Sequence, residues 1–277
     1  MADRVLVTVS DGIADVRFNR PDKRNALDGR QFMAIAEAGE ALKAMDGVRV
    51  VVVSGVGPSF CAGLDFSVFQ TMSGGEPADD GGDADAEAEA QGNPGRLSPS
   101  GLTHLGQQVC WVWQELPVPV IAAVHGHALG GGLQIALGAD IRIAHPATQL
   151  SVREVHWGLI PDMTGTLMLS RLTRPDIAKE LTFTARVFDA TEGHALGLVT
   201  RLSDEPYRDA MALAVEIAGR SPHAVRGAKE LFNRLANDGA GEQFAEERRV
   251  IGSLVGSPNQ VEAVVANLEK RPAVYRD

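Results

Sequence analysis

The chain has 277 residues, 44% of them hydrophobic and 22% charged, as expected of a globular protein with a sizeable core. A formal net charge of −10 argues against a nucleic acid or an anionic membrane as the main partner. Two cysteines, Cys61 and Cys110, cannot form a disulfide framework and favour a cytoplasmic setting. The first residues do not read as a signal peptide, and no run of about 20 apolar residues predicts a membrane span.

The N-terminal segments predict a mixture of strands and helices. Alternating residues around an Asp-Gly turn predict two antiparallel strands, Val5–Val9 and Ile13–Phe18. Apolar residues at helical spacing predict a helix from Asp28 to Met45, and the β-branched run Val48–Ser54 predicts a buried strand. A further helix begins near Asp65, for which an N-cap role is the structural alternative to a functional one.

Residues 73–101 differ in composition from the rest of the chain. They contain seven acidic residues, one basic residue and almost no apolar side chains to bury. Such a segment cannot form a core, so we predict a mobile surface insertion. A lid over a nearby pocket is the functional alternative.

The central stretch Val118–Gly138 carries the strongest local signal. It predicts a buried strand, a tight turn, a run of three glycines and a short apolar helix. Glycines allow close approach of the backbone to a ligand, and the helix start offers unpaired N–H groups. Tight packing alone would explain the glycines, but the combination also suits an oxygen that carries negative charge.

The remaining segments complete a β/α core to about residue 203, followed by a helical region at 204–277. Strands are predicted at Ile141–Ala144, Gln149–Val152 and Val199–Leu202, with a loop at Arg153–Gly165. The predicted helices are Leu102–Leu116, Thr166–Leu172, Pro175–Thr184, Phe188–Leu198, Pro206–Gly219, Pro222–Ala236, Glu242–Val255 and Pro258–Glu269.

Several of these segments, in this order and spacing, resemble the crotonase superfamily of enoyl-CoA hydratases and isomerases. The motifs are NRPDKRNAL, SFCAGLDF, PVIAAVHGHALGGGLQIALGADIRIA, REVHWGLIPDMTG and LTFTARVFDATEGHALGLV. The resemblance implies an α/β fold, a spiral of ββα turns with a helical C-terminal region. It also implies an acyl-CoA thioester substrate, no other cofactor and no metal, and a homotrimer or dimer of trimers formed through residues 204–277.

The resemblance further implies which residues touch the substrate. The backbone N–H groups of Ala62 and Gly131 would form an oxyanion hole for the thioester oxygen. Lys23 and Arg24 would contact the coenzyme A phosphates, with solvated charge as the alternative. The implied substrate-binding residues are Lys23, Arg24, Ala26, Gly63, Leu64, Asp65 and Gly130.

The acidic residues decide which reaction is expected. Family hydratases carry two glutamates, but here only Glu154 is present, because Gln134 occupies the other position. Glutamine can form hydrogen bonds but cannot take a proton as a carboxylate does. Asp162, eight residues after Glu154, makes this stretch similar to that of the dienoyl-CoA isomerases, although an N-cap role is the alternative.

We therefore expect an enoyl-CoA or dienoyl-CoA double-bond isomerase in which Glu154 and Asp162 transfer protons and Gln134 assists. The alternatives are a hydratase with an atypical Gln134, another thioester reaction of the superfamily, and an acyl-CoA-binding protein without catalysis. The histidines form no recognised metal-binding pattern, so we interpret them as structural or surface residues.

Overall fold

The computed structural model describes residues 3–72, 92–98 and 101–275. Most of the predicted acidic insertion therefore lies outside the described residues. The strands are β1 Val5–Ser10, β2 Ile13–Phe18, β3 Val50–Gly55, β4 Val120–Val124, β5 His127–Leu129, β6 Ile141–Ala144, β7 Gln149–Ser151, β8 Phe188–Asp189 and β9 Arg201–Leu202.

Three of the helices that the structure describes have 15 residues, one near the N-terminus and two in the C-terminal region. The described helices are α1 Gly29–Lys43, α2 Phe66–Met72, α3 Leu105–Glu115, α4 Gly131–Gly138, α5 Gly165–Leu172, α6 Pro175–Thr184, α7 Ala190–Ala195, α8 Pro206–Ala218, α9 Pro222–Ala236, α10 Ala240–Leu254 and α11 Pro258–Leu268. Pro21–Lys23 and Glu154–Trp157 form short 3-10 helices. In the described part of the chain, no helix combines the length and apolar character needed to cross a bilayer.

The large sheet has six strands in the order β1-β2-β3-β4-β6-β9. Only β1 and β2 pair antiparallel, joined by the predicted turn, in which Asp11 and Gly12 both have positive φ. Every other pair in this sheet is parallel. The apolar runs of β3 and β4 are buried, as expected for parallel strands covered on both faces.

A second sheet of three short strands, β5-β7-β8, lies beside the first. The chain leaves β4, turns at Gly126 (φ +64°), forms β5 in the second sheet and then enters α4. The segment after β3 behaves similarly, because Cys61 pairs with Ala128 of β5 before α2 begins. These repeated strand–strand–helix turns confirm the predicted spiral fold.

Two local predictions were wrong. The helix predicted at Phe188–Leu198 is α7 alone, because Phe188 and Asp189 first pair with β7 and Asp189 then caps the helix. The turn predicted after β4 contains strand β5, which is too short to give an alternating pattern. The predicted loop at Arg153–Gly165 contains the 3-10 helix Glu154–Trp157.

The C-terminal helices cover different parts of the core. Ala210 and Ala214 of α8 pack on the face of the large sheet formed by Val52 and Ile121. Helix α11 instead packs on α2 and on the 3-10 helix Glu154–Trp157. The last helix is therefore placed against the segments that carry the predicted site.

Lys229 ties α9 to the central strand. Its buried ammonium donates to the carbonyls of Trp113 and Val118 at 2.9 Å and to Asp140 Oδ2 at 2.8 Å. The same Asp140 oxygen accepts from Val120 N–H at the start of β4. One buried cation thus fixes both the entry and the exit of the strand–turn–helix unit.

We expect Lys229→Met to lower the free energy of unfolding by about 3–5 kcal/mol, because it leaves two carbonyls unpaired and removes the charge partner of the Asp140 carboxylate. Lys43→Met is the matched control, since Lys43 pairs with Glu40 and Glu115 near the surface and should cost less than about 1 kcal/mol. Urea unfolding of both variants checks the difference, and equal losses would contradict it.

Candidate active site

A cleft of about 540 Å³ lies between the loop after β2, the segment after β3, the turn after β5 and the 3-10 helix Glu154–Trp157. The predicted site residues that line it are Lys23, Arg24, Ala26, Ala62, Gly63, Leu64, Asp65, Gly130 and Glu154. Four segments far apart in the sequence therefore meet at one opening. Gln134, Gly131 and Asp162 lie outside the lining.

The glycine-rich turn packs directly on the segment after β3. A Cβ atom on Gly132 would lie 2.2 Å from the Cys61 carbonyl oxygen, and one on Gly63 would lie 2.6 Å from that of Leu129. Both contacts are with backbone, which cannot move aside as a flexible side chain could. The glycines therefore serve tight packing. This packing also brings the segment that carries Leu64 close to the turn that carries Gly131.

The structure does not support Ala62 as an oxyanion donor. The Ala62 N–H already donates to the Arg24 carbonyl at 3.0 Å. Leu64 lies two residues further on, in a parallel bridge in which Leu27 bonds to Gly63 and Asp65, so the Leu64 N–H points away from Leu27. Among the described residues, the N–H groups of Leu64 and Gly131 have no acceptor.

Glu154 and Gln134 contact each other behind the cleft. Gln134 Nε2 donates to Glu154 Oε1 at 2.6 Å, and Gln134 Oε1 accepts from Met163 N–H at 2.9 Å. This orientation of the amide is required, because a carboxylate only accepts and a backbone N–H only donates. Glu154 Oε2 is buried without a hydrogen-bond partner among the described residues.

Burial is the main influence on the Glu154 carboxyl group. It raises the pKa from 4.5 to about 8, and the nearby charge of Asp162 adds to the increase while the Gln134 hydrogen bond opposes it. At neutral pH both the protonated and the ionised forms are therefore populated. Such a group can take up and release a proton during a reaction.

Asp162 lies beside the cleft rather than on it. Its carboxylate is 3.6 Å from His104 Nε2, beyond hydrogen-bond distance, and its side chain is 23% exposed. Thr164 is the residue before α5, but its side chain and that of Asp162 make no N-cap hydrogen bond. The predicted role of Asp162 in proton transfer stays a prediction.

The polar residues at the cleft entrance have different roles. Lys23 and Arg24 are exposed on the 3-10 helix Pro21–Lys23 and its C-cap, where they line the cleft. Asp65 instead binds Arg20 Nη1 at 2.5 Å and accepts from Ser67 N–H at 3.1 Å. Its carboxylate therefore stabilises the start of α2. This role is close to the N-cap role that the sequence offered as the structural alternative.

An aromatic wall, formed by Phe66, Phe69 and Trp157, lines the cleft next to Glu154 and was not anticipated from the sequence. The rings of Phe69 and Trp157 stack with centroids 4.2 Å apart. Glu154 and Trp157 are three residues apart on a 3-10 helix, a spacing that puts both on one side. The i, i+3 spacing of the phenylalanines on α2 was the available signal, but it equally fits a core face.

Comparison with known proteins agrees with this fold. A sequence profile of the enoyl-CoA hydratase/isomerase family matches residues 8–277. Mitochondrial methylglutaconyl-CoA hydratase from Mus musculus is 31% identical over 99% of this chain and 82% of its own length. Crotonyl-CoA hydratase from Syntrophomonas wolfei is 30% identical over 99% of this chain and 98% of its own length.

Solved structures show the same architecture. An enoyl-CoA hydratase/isomerase from Pseudoalteromonas atlantica superposes with a TM-score of 0.82 at 24% identity, covering 99% of this chain and 100% of its own. The fold and the cleft thus define a protein of the crotonase class. The chain belongs to the enoyl-CoA hydratase/isomerase family and is an enzyme of that family acting on acyl-CoA.

The raised pKa of Glu154 predicts a pH-dependent cost to stability. The folded chain holds this proton up to about pH 8, whereas the unfolded chain releases it near pH 4.5. Within that window each pH unit lowers the free energy of unfolding by about 1.4 kcal/mol, with no further loss above it. Glu154→Gln should lack this contribution. The free energy of unfolding of the variant relative to that of the wild type, measured in urea, should therefore be higher at pH 9 than at pH 5. A constant difference would contradict the assignment.

Proposed function

We propose that the protein moves a carbon–carbon double bond within an acyl-CoA thioester, with Glu154 as the group that removes and returns the proton. One observation carries this proposal: Glu154, a buried carboxyl group on the cleft, is paired with the amide of Gln134. A mechanism that uses two acidic residues would need a second carboxylate at that position. Gln134 donates to Glu154 and accepts from Met163, so it has no role as a base.

The proposed reaction is a proton transfer along the acyl chain. Ionised Glu154 removes a proton from C2 of a 3-enoyl-CoA, and the negative charge moves to the thioester oxygen. The free N–H groups of Leu64 and Gly131 stabilise this enolate. Glu154 then gives the proton to C4, which leaves the double bond between C2 and C3. Substrate and product have the same oxidation state, so no cofactor beyond the coenzyme A of the substrate takes part.

Hydration is the second candidate, because two relatives of this chain are named hydratases. Methylglutaconyl-CoA hydratase and crotonyl-CoA hydratase are both about 30% identical to this chain. In a hydratase, Glu154 would act on the water molecule while Gln134 held it in place. The two candidates differ in whether an oxygen atom is added to the substrate.

We also propose that copies of the chain associate as a trimer or a dimer of trimers through residues 204–277. Leu231, Phe232 and Leu235 support this proposal, because all three are exposed on α9 and Leu235 is 82% exposed. An apolar surface of this kind is characteristic of contact between subunits. The predicted cytoplasmic location stays a prediction.

Incubation with 2-enoyl-, 3-enoyl- and 3,5-dienoyl-CoA in D2O tests the reaction directly by mass spectrometry. We expect deuterium incorporation without addition of water, because the proton held on Glu154 exchanges with D2O before it is returned to the substrate, and a loss of about 10²–10⁴ in rate for Glu154→Gln. Asp162→Asn tests the second carboxylate predicted from the sequence. We expect its rate to fall far less, since Asp162 lies outside the cleft lining, and an equal loss would assign the return of the proton to Asp162. Addition of D2O across the double bond would instead establish the hydratase.

Gln134→Glu tests whether the residue at position 134 decides between isomerisation and hydration. The change supplies a second carboxyl group next to Glu154, so one of the two can activate water while the other donates a proton. We expect hydration of 2-enoyl-CoA to appear or to rise at least about tenfold, as for an added acid–base group. Gln134→Met, similar in size but without an ionisable group, is the control. Equal hydration by the wild type and both variants would show that residue 134 does not decide the reaction.

A further inference from the structure

A buried carboxylate in the C-terminal region lies behind the proposed site. Glu247, on α10, is 2% exposed. Among the described residues, it forms no salt bridge. Its Oε2 accepts from Gln107 Nε2 at 3.0 Å and from Thr164 N–H at 3.2 Å, and its Oε1 accepts from Thr166 Oγ1 at 2.5 Å. Three donors from two other elements thus converge on one side chain.

These hydrogen bonds fix the start of α5. Thr164 and Thr166 lie on either side of the first helical residue, where backbone N–H groups lack partners within the helix. A carboxylate there also faces the positive end of the helix dipole. Thr164 itself has a positive φ of 67°, a conformation that costs energy and persists only where neighbouring contacts hold it. Glu247 supplies such contacts.

The residue that precedes Thr164 reaches the proposed site. Met163 N–H donates to Gln134 Oε1, and Gln134 Nε2 in turn donates to Glu154 Oε1. A continuous set of contacts therefore runs from Glu247 through the 163–164 backbone and Gln134 to Glu154. Each of these hydrogen bonds is 3.2 Å long or shorter. The side chains of Glu247, Gln134 and Glu154 are all buried.

We propose that Glu247 is a positioning residue for the proton-transferring carboxylate, acting through the Met163–Thr164 backbone and Gln134. The C-terminal helical region would then be part of the active site's support as well as a surface for association. The proposal rests on the proposed function of Glu154, but its effect is measured on the ionisation of Glu154 and not on turnover.

Other charged groups surround the two carboxylates and set the background for the test. Burial raises the pKa of both carboxyl groups, and the nearby charge of Asp162 adds to the increase. His104, the N-cap of α3, lies near Asp162, and burial raises the pKa of Cys110 on α3, with a further increase from the charge of Glu247. Arg248 Nη1 binds Gln107 Oε1 at 3.0 Å rather than Glu247 itself.

Two different actions of Glu247 would shift the Glu154 pKa in opposite directions. Removal of a nearby negative charge would lower it. The hydrogen bond from Gln134 to the Glu154 carboxylate lowers the pKa of Glu154. Loss of positioning would weaken this hydrogen bond and would therefore raise the pKa of Glu154. The sign of the shift thus separates positioning from simple electrostatics, and a purely structural role predicts no shift.

The experiment is difference infrared spectroscopy of the protonated carboxyl stretch during a pH titration of Glu247→Gln and Glu247→Ala. The Glu154 band is assigned by its absence in Glu154→Gln made in each background. We expect an upward shift of the Glu154 pKa by about one pH unit in Glu247→Ala, and a smaller one in Glu247→Gln, which retains one acceptor. In a Gln134→Ala background, the same Glu247 changes should produce little further shift.

Phe244→Leu is the matched control, because Phe244 is fully buried on the same helix and packs on Trp111 without bonding to Thr164 through its side chain. It should lower the melting temperature without moving the Glu154 pKa. A downward shift, an unchanged value in folded Glu247 variants, or an equal shift in the Gln134→Ala background would overturn the proposal. So would the failure of both Glu247 variants to fold, which would make Glu247 a residue of the fold alone. Because the titration needs no substrate, absence of isomerase activity would refute the proposed function without affecting this result.

Discussion

The site depends on the close approach of two backbone segments that leaves no room for side chains. The Cys61 carbonyl oxygen would lie 2.2 Å from a Cβ on Gly132, and the Leu129 carbonyl would lie 2.6 Å from one on Gly63. Any larger residue would push the segments apart. Since the unpaired N–H groups of Leu64 and Gly131 belong to these two segments, the packing of the glycines sets the spacing of both donors.

This arrangement makes the electrostatics of the cleft uneven. Lys23 and Arg24 are exposed at its entrance, whereas Glu154 is buried at its inner end with one oxygen unpaired. Burial of a carboxyl group is costly when it is ionised, so the fold stabilises the protonated form and raises the pKa to about 8. The same burial that reduces stability above pH 4.5 prepares Glu154 to exchange a proton near neutral pH.

The C-terminal helices connect this local chemistry to the rest of the fold. Lys229 on α9 fixes both ends of the strand–turn–helix unit that presents the glycines. Glu247 on α10 holds the start of α5, and α11 packs on the 3-10 helix that carries Glu154. A region that appears from its sequence as a separate helical tail is thus in contact with α2, with the 3-10 helix that carries Glu154 and with both ends of the unit that presents the glycines.

The sequence by itself determined the spiral fold and most helix bounds, and it singled out Glu154 and Gln134, which the structure brings into contact. These followed from local information: apolar periodicity, turn residues and motifs in a fixed order, as in α6 and α9, whose predicted bounds match the structure. Only the tertiary structure decided which N–H groups are free, that Asp162 faces His104 rather than the cleft, and that Glu247 reaches Thr164. The physical reason is that hydrogen-bond partners and burial depend on residues distant in sequence. The Ala62 N–H meets the Arg24 carbonyl, whereas beyond Gly63, whose φ is +90°, the Leu64 N–H points away from Leu27, and no sequence pattern shows this difference.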